Sequence, residues 1–365
     1  ADAEAQRLRF RLVVLVAHPH AHLVAGPEPV AGLVGRRPQH DDALDVRPLR
    51  SPVGGLARSV GDGALLVYGG VEPALDYRPW YQPASFTYLT GLREPGASLL
   101  IVIDGGKVQE MLFVRPRSPA QEVWNGKRVG VEGTEAAFGI AGRDIASLGQ
   151  VLDSLLRDER SLFVVGEFGG GAEALTVHAQ RFLALRDKYP NRNITDASEA
   201  VQALRAVKSP AELERLRIAA EISARGHLAA FRLAQPGVGE FELQAAAEHL
   251  WRAEGGDGPG YLSILGSGPN STTLHYNENS RITKPGDLVV MDMAASFDGY
   301  SADITRTIPV SGRFTDAQRD IYEVVLAAQL AAERQVRAGA PARAMTDSAN
   351  AVLRAGLARL GLIES

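Results

Sequence analysis

No cysteine occurs in the 365 residues, which excludes disulfides, thiolate zinc sites and a cysteine nucleophile together. Any metal held by this chain must be bound by oxygen and imidazole. Long apolar runs are missing too, and no window approaches the roughly eighteen residues that a membrane span requires. Net charge is small: 39 basic residues stand against 43 acidic ones and the two signs are interspersed, so no basic stripe points to nucleic acid and no acidic tail to a solvating segment. Lysine is scarce beside arginine, which carries no functional meaning. A secretory signal is not supported, because His18, His20 and His22 follow the short apolar stretch 8–17 where small residues would mark a cleavage site. A cytoplasmic location is the expectation.

What is there fits an ordinary soluble chain, with 45% hydrophobic and 22% charged residues. The length suggests two domains. Residues 1–52 read as an irregular leader, interrupted by prolines from Pro19 to Pro48. The alternating His18, His20 and His22 would share one face of an extended segment, but nothing near them supplies a scaffold for a metal, and a solvated tail is the simpler reading.

A mixed α/β domain is expected over 53–205. Strands are predicted at 64–67, 98–103, 108–113 and 162–165, with a hairpin turn at Asp104-Gly105-Gly106 and helices near 144–157 and 172–188. The glycine-rich stretch 166–171 has neither dinucleotide-binding nor P-loop spacing and reads as a loop. A second domain of α+β class is expected over 206–365. Ser209, Pro210 and Glu212 form a helix start, and Leu213, Leu216, Ala220, Ser223, His227 and Phe231 suggest its buried face until Pro236-Gly237 ends it. Further elements are a helix at 240–254, strands at 260–265, 272–276, 287–295 and 301–310, and helices at 316–337 and 344–360. His227 and His249, both within helices, receive no role.

The most informative stretch runs from Leu288 to Arg306, two apolar strands joined at Asp298-Gly299 with one aspartate in each. A two-residue turn at Asp298-Gly299 puts Asp292 opposite Thr305 and diagonal to Asp303; a turn one residue earlier puts the aspartates opposite each other. Either register leaves Asp292 and Asp303 on one face. Two like charges among apolar neighbours favour a bound cation, while an amphipathic hairpin with both carboxylates in solvent is the alternative.

This hairpin, the run on to Val310 and the segment Gly312 to Gln318 resemble the first metal-binding strands of the pita-bread metallopeptidases of the aminopeptidase P and Xaa-Pro dipeptidase group. Gly266-Ser267-Gly268 to Leu274-His275-Tyr276 is similar to the family segment with a substrate-side histidine, and Lys208 to Glu214 to its entry helix. Tyr77 to Pro95 and Glu122-Val123-Trp124-Asn125-Gly126-Lys127-Arg128 look like the amino-terminal domain of aminopeptidase P. The resemblance implies a pita-bread catalytic domain and a site for two ions, usually Mn2+, with Asp292 binding one and Asp303 bridging both. It further implies that metal-held water attacks the carbonyl before proline, that His275 assists at that centre, and that Thr305 supports the ligands from behind. Peptides with proline at the second position are the implied substrates, and a homodimer or homotetramer the implied assembly.

The family also takes a histidine and two glutamates from later strands, yet no histidine follows His275, and Glu323, Glu333 and Glu364 fall on predicted helices or at the terminus. The expectation is therefore a catalytic domain whose C-terminal part is missing, leaving an open strand edge and an exposed apolar face unless another chain covers them. The alternative function is a non-catalytic peptide-binding or assembly module that keeps the fold. Creatinase-like hydrolysis is disfavoured by the Trp124 segment, and methionine aminopeptidase lacks such an amino-terminal domain.

Overall fold

A computed structural model describes residues 53–72, 80–169 and 174–364. The leader with its three histidines, residues 77–79 of the Tyr77–Pro95 segment and residues 170–171 of the glycine-rich stretch lie outside the described residues. The chain forms two compact units that divide between Glu214 and Arg215.

The first unit is built on one six-stranded mixed sheet. In chain order its elements are α1 (Val53–Val60), β1 (Gly63–Tyr68), α2 (Ala84–Thr90), β2 (Ser98–Asp104), β3 (Lys107–Val114), α3 (Pro119–Asn125), α4 (Gly130–Phe138), β4 (Ala141–Asp144), α5 (Leu148–Arg157), β5 (Leu162–Val165), α6 (Val177–Lys188), β6 (Ile194–Asp196) and α7 (Ser198–Ala206). The sheet order is β4-β3-β2-β1-β5-β6, antiparallel across β3-β2-β1 and parallel at β3-β4, β1-β5 and β5-β6.

Because side chains alternate along a strand, the apolar runs fill two cores. Leu65 and Val67 of β1 pack with Leu99 and Ile101 beneath α1, α2 and α7, while Ala64, Leu66 and Tyr68 pack with Leu100 and Phe113 beneath α5 and α6. The four sequence-predicted strands are all present, and Asp104 pairs with Lys107 across the expected hairpin turn. The short β4 and β6 and the helices α1 to α4 and α7 were not legible in the local pattern.

The division falls within the first turns of α8 (Pro210–Leu233), whose capping box forms as the sequence suggested: the Ser209 backbone N–H donates to Glu212 Oε2 at 2.8 Å and the Glu212 N–H to Ser209 Oγ at 3.3 Å. Its buried face is rotated from the expected one. Glu212, Arg215, Ala219, Ile222, Ser223, Gly226, His227 and Ala230 are buried, whereas Leu213 is 55% exposed. The rotation follows from packing against α9 (Glu240–Ala253). A Cβ on Gly226 would lie 2.0 Å from the Trp251 indole nitrogen, so the two helices meet at a position only glycine can fill.

Six short strands follow: β7 (Gly258–Pro259), β8 (Ile264–Ser267), β9 (Leu288–Asp292), β10 (Ala295–Phe297), β11 (Tyr300–Ser301) and β12 (Thr305–Pro309), then α10 (Asp316–Glu333) and α11 (Arg343–Arg359). They form two antiparallel sheets, β11-β10-β7 and β12-β9-β8, so this unit is α+β. Leu265, Val289, Met291 and Met293 pack against Ile222, Leu243, Ala247 and Trp251.

The strand expected at 272–276 does not form. Gly268, at φ 53°, and Pro269 open a 3-10 turn over Gly268–Thr272, and the exposed segment after it has no ladder partner. The strand expected at 260–265 starts only at Ile264 and runs on to Ser267, and those expected at 287–295 and 301–310 are each broken into two shorter pieces.

Candidate active site

The aspartate hairpin adopts the first of its two open registers. Asp298 and Gly299 both take positive φ, 51° and 81°, which is the two-residue turn geometry that suits the twist of the flanking strands. Phe297 then pairs with Tyr300, and the same register carries through to Asp292 opposite Thr305. Arg215, buried on α8, holds the turn through Nε to Asp298 Oδ2 at 2.5 Å. Asp303 is not inside a strand as expected; it lies in the short connection between β11 and β12, bounded by the Ala302 to Ala295 and Met293 to Ile304 backbone bonds. Asp292 is half-buried and Asp303 exposed, so the two like charges are not both buried among apolar neighbours.

The two carboxylates nevertheless converge on one side chain. Tyr261, between β7 and β8, points its hydroxyl at both carboxylates: it donates to Asp292 Oδ1 at 2.6 Å and stands 3.5 Å from Asp303 Oδ1. Burial, and then the bond to Asp292, push this phenol well above its usual range, so it remains a hydrogen-bond donor at neutral pH. Nothing local in the sequence marks Tyr261, which follows a Pro-Gly turn and gains its role from strands about thirty to forty residues later.

Behind the hairpin, His227 is buried with Nδ1 3.0 Å from the Ser223 carbonyl. Its ring lies beside the backbone of Met291 and Ile304, and Nε2 completes no hydrogen bond. Burial pulls this imidazole below its usual range. His249 is exposed, as is Thr305.

His275 sits on the exposed turn after the 3-10 segment. The structure does not gather it with the aspartates into a metal cluster, since among the described residues no group of three or more His, Asp or Glu side chains could hold an ion. The donors present therefore match a hard divalent ion in kind, as paired carboxylates on one face, but not in number. A cavity of about 310 Å³ lies elsewhere, in the first unit, at the carboxyl ends of β1 and β5. No helix among the described residues is long and apolar enough to cross a membrane.

Comparison with known proteins shows the family of the chain. Residues 214–362 match metallopeptidase family M24, and residues 64–164 match the aminopeptidase P N-terminal domain. The chain is 32% identical to the Xaa-Pro aminopeptidase of Haemophilus influenzae over 308 residues, which are 83% of this chain and 70% of that protein. It is 34% identical to the Xaa-Pro aminopeptidase of Escherichia coli over 294 residues, 78% of this chain and 66% of the relative. A variant of Escherichia coli aminopeptidase P solved in complex with substrate superposes with a TM-score of 0.77 at 30% identity, covering 88% of this chain and 75% of that one. The matched region thus spans about two thirds of its curated bacterial relatives. With an aminopeptidase P N-terminal domain followed by an aspartate hairpin on a pita-bread scaffold, the chain belongs to the Xaa-Pro aminopeptidase group of metallopeptidase family M24.

Proposed function

We propose that this protein is a metal-dependent aminopeptidase that releases the amino-terminal residue from peptides with proline at the second position. The observation that carries the reading is the convergence of Asp292 and Asp303 on the Tyr261 hydroxyl, in a chain whose relatives are Xaa-Pro aminopeptidases. Family M24 membership supports a divalent metal, and the all-oxygen donor pair together with the absence of cysteine favours Mn2+. Such an ion supplies Lewis acidity and lowers the pKa of bound water.

On this reading Asp292 and Asp303 hold the ion by their carboxylates, and Tyr261 fixes the Asp292 carboxylate by donating to one oxygen so that the other is aimed outward. His275, exposed, is assigned to the substrate side, where it donates to the reacting centre. The solution state is proposed to be a homodimer or homotetramer and the location cytoplasmic.

The test is to load the chain with Mn2+ and follow hydrolysis of an Xaa-Pro-Xaa tripeptide with and without chelator. Metal uptake with chelator-sensitive cleavage, both lost in Asp292→Asn, is the expected result. Peptide binding indifferent to chelator, with no cleavage, would overturn the enzymatic reading in favour of a non-catalytic peptide module.

A further inference from the structure

Glu240, the first residue of α9, is fully buried, and four donors converge on its carboxylate. The Ser267 backbone N–H and hydroxyl both donate to Oε1 at 2.6 Å. The Tyr276 hydroxyl donates to Oε2 at 2.9 Å and the Arg281 N–H to the same oxygen at 3.0 Å. The Glu240 N–H donates in turn to the Arg281 carbonyl at 2.9 Å. A buried carboxylate is costly unless its lone pairs are used, and here each oxygen takes two donors. The carboxylate also lies at a helix amino terminus, where negative charge is favoured.

These donors are not scattered over the core. Ser267 is the last residue of β8, and Tyr276 and Arg281 close the irregular segment that leaves it, so both ends of the 268–280 loop are tied to one side chain. Arg281 strengthens the tie by donating to Ser267 Oγ at 2.7 Å and to Asp287 Oδ2 at 2.6 Å. His275 is the residue immediately before Tyr276, on the exposed crest of that loop. The loop has no strand ladder to fix it, so side-chain bonds place its crest: the Glu240 tie, and beside it buried Asn279, which accepts the Leu265 N–H at 2.9 Å and donates to Gln244 Oε1 and the Ser263 carbonyl at 2.8 Å each.

We infer that Glu240 is a positioning residue: its buried carboxylate ties both ends of the 268–280 loop and so sets the place of His275 at the peptide site. The positioning part rests on the substrate-side role proposed for His275, whereas the tie itself does not. Glu240→Gln keeps the volume but puts an NH2 group in front of two donors, leaving them without an acceptor.

The test uses the full chain and two readouts. Amide hydrogen exchange across 268–281 is expected to accelerate about tenfold or more in Glu240→Gln, while amides of β9 and β12 keep wild-type rates. The His275 ring resonance, assigned by its loss in His275→Gln, is expected to shift when an Xaa-Pro-Xaa tripeptide is added to wild type and to stay fixed in Glu240→Gln. Wild-type exchange in the loop, or acceleration spread evenly over the unit, would overturn the inference. A His275 resonance that ignores peptide in wild type, with loop exchange still selectively raised in the variant, would remove the proposed role of His275 and the positioning with it, leaving the loop tie standing. Should Glu240→Gln fail to fold, Tyr276→Phe removes one of the four donors from a half-buried position and is expected to give the same selective pattern at smaller amplitude.

Discussion

Tyr261→Phe tests the central claim of the site with the loss of one oxygen atom. The hydroxyl donates to the Asp292 carboxylate at 2.6 Å, a short charge-assisted bond, and stands near enough to Asp303 to orient both groups. Removing a hydrogen bond to a charged group costs about 1.5–3 kcal/mol, but Asp292 is only half-buried and water takes over part of the loss, so a net destabilisation of ~1 kcal/mol is expected. The larger effect falls on metal binding, because an unanchored ligand must be ordered by the ion itself. Losing a supporting partner typically weakens metal affinity about 10–100-fold, and the low end is expected here because one carboxylate is directly fixed. The assay is a Mn2+ titration followed by water-proton relaxation, alongside urea unfolding of the metal-free chain. The raised phenol pKa adds a sign: the folded state holds this proton above the ordinary tyrosine value of 10.0, so the stabilisation by Tyr261 is present in full below that pH and is lost as pH rises beyond it. The difference between wild type and variant should therefore be flat through the neutral range and shrink above pH ~10. An affinity within twofold of wild type would refute the assignment of Tyr261 as the organiser of the aspartate pair.

Three further outcomes follow from packing and ionisation. His178 is buried, accepts the Glu167 N–H on Nδ1 at 3.0 Å and donates from Nε2 to the Gly69 carbonyl at 3.1 Å, an arrangement only the neutral ring satisfies. Burial lowers its pKa from 6.5, so the unfolded chain binds the extra proton first, and stability should fall as pH drops below ~6.5, with a slope of at most ~1.4 kcal/mol per pH unit. Urea midpoints measured against pH check this, and His178→Gln should flatten that component. Gly226→Ala places a methyl group inside the Trp251 indole, and despite a helix-propensity gain of ~1 kcal/mol the overpacking should leave a net loss of about 1–3 kcal/mol in chemical unfolding. Asp298→Ala leaves the buried Arg215 without this carboxylate and puts a β-carbon residue lacking a polar side chain at φ 51°; a loss of about 3 kcal/mol by the same assay, with Asp298→Asn intermediate, is expected.

Local chemistry determined much of this protein. Zero cysteine restricts any metal to oxygen and imidazole donors. The apolar runs of β1, β2, β3 and β5 and the Ser209-Pro210-Glu212 helix start act over a few residues and are legible from them. The Asp298-Gly299 turn and the two-residue strand period together put Asp292 and Asp303 on one face in either register. Tertiary structure decided the rest. β4 (Ala141–Asp144) and β6 (Ile194–Asp196) have no strand pattern of their own and exist because β3 and β5 offer them an edge. The stretch around His275 looks extended yet forms no ladder, because its polar ends find Glu240, about thirty residues earlier, in place of a strand partner. The face of α8 turned with the close approach of Gly226 to Trp251, and the choice of register and the hold of Tyr261 on both aspartates arose only once separate strands were assembled. Turns, caps and strand period depend on short-range sterics that a sequence displays directly, whereas a side chain that serves a distant segment owes its place to packing, which no local window contains.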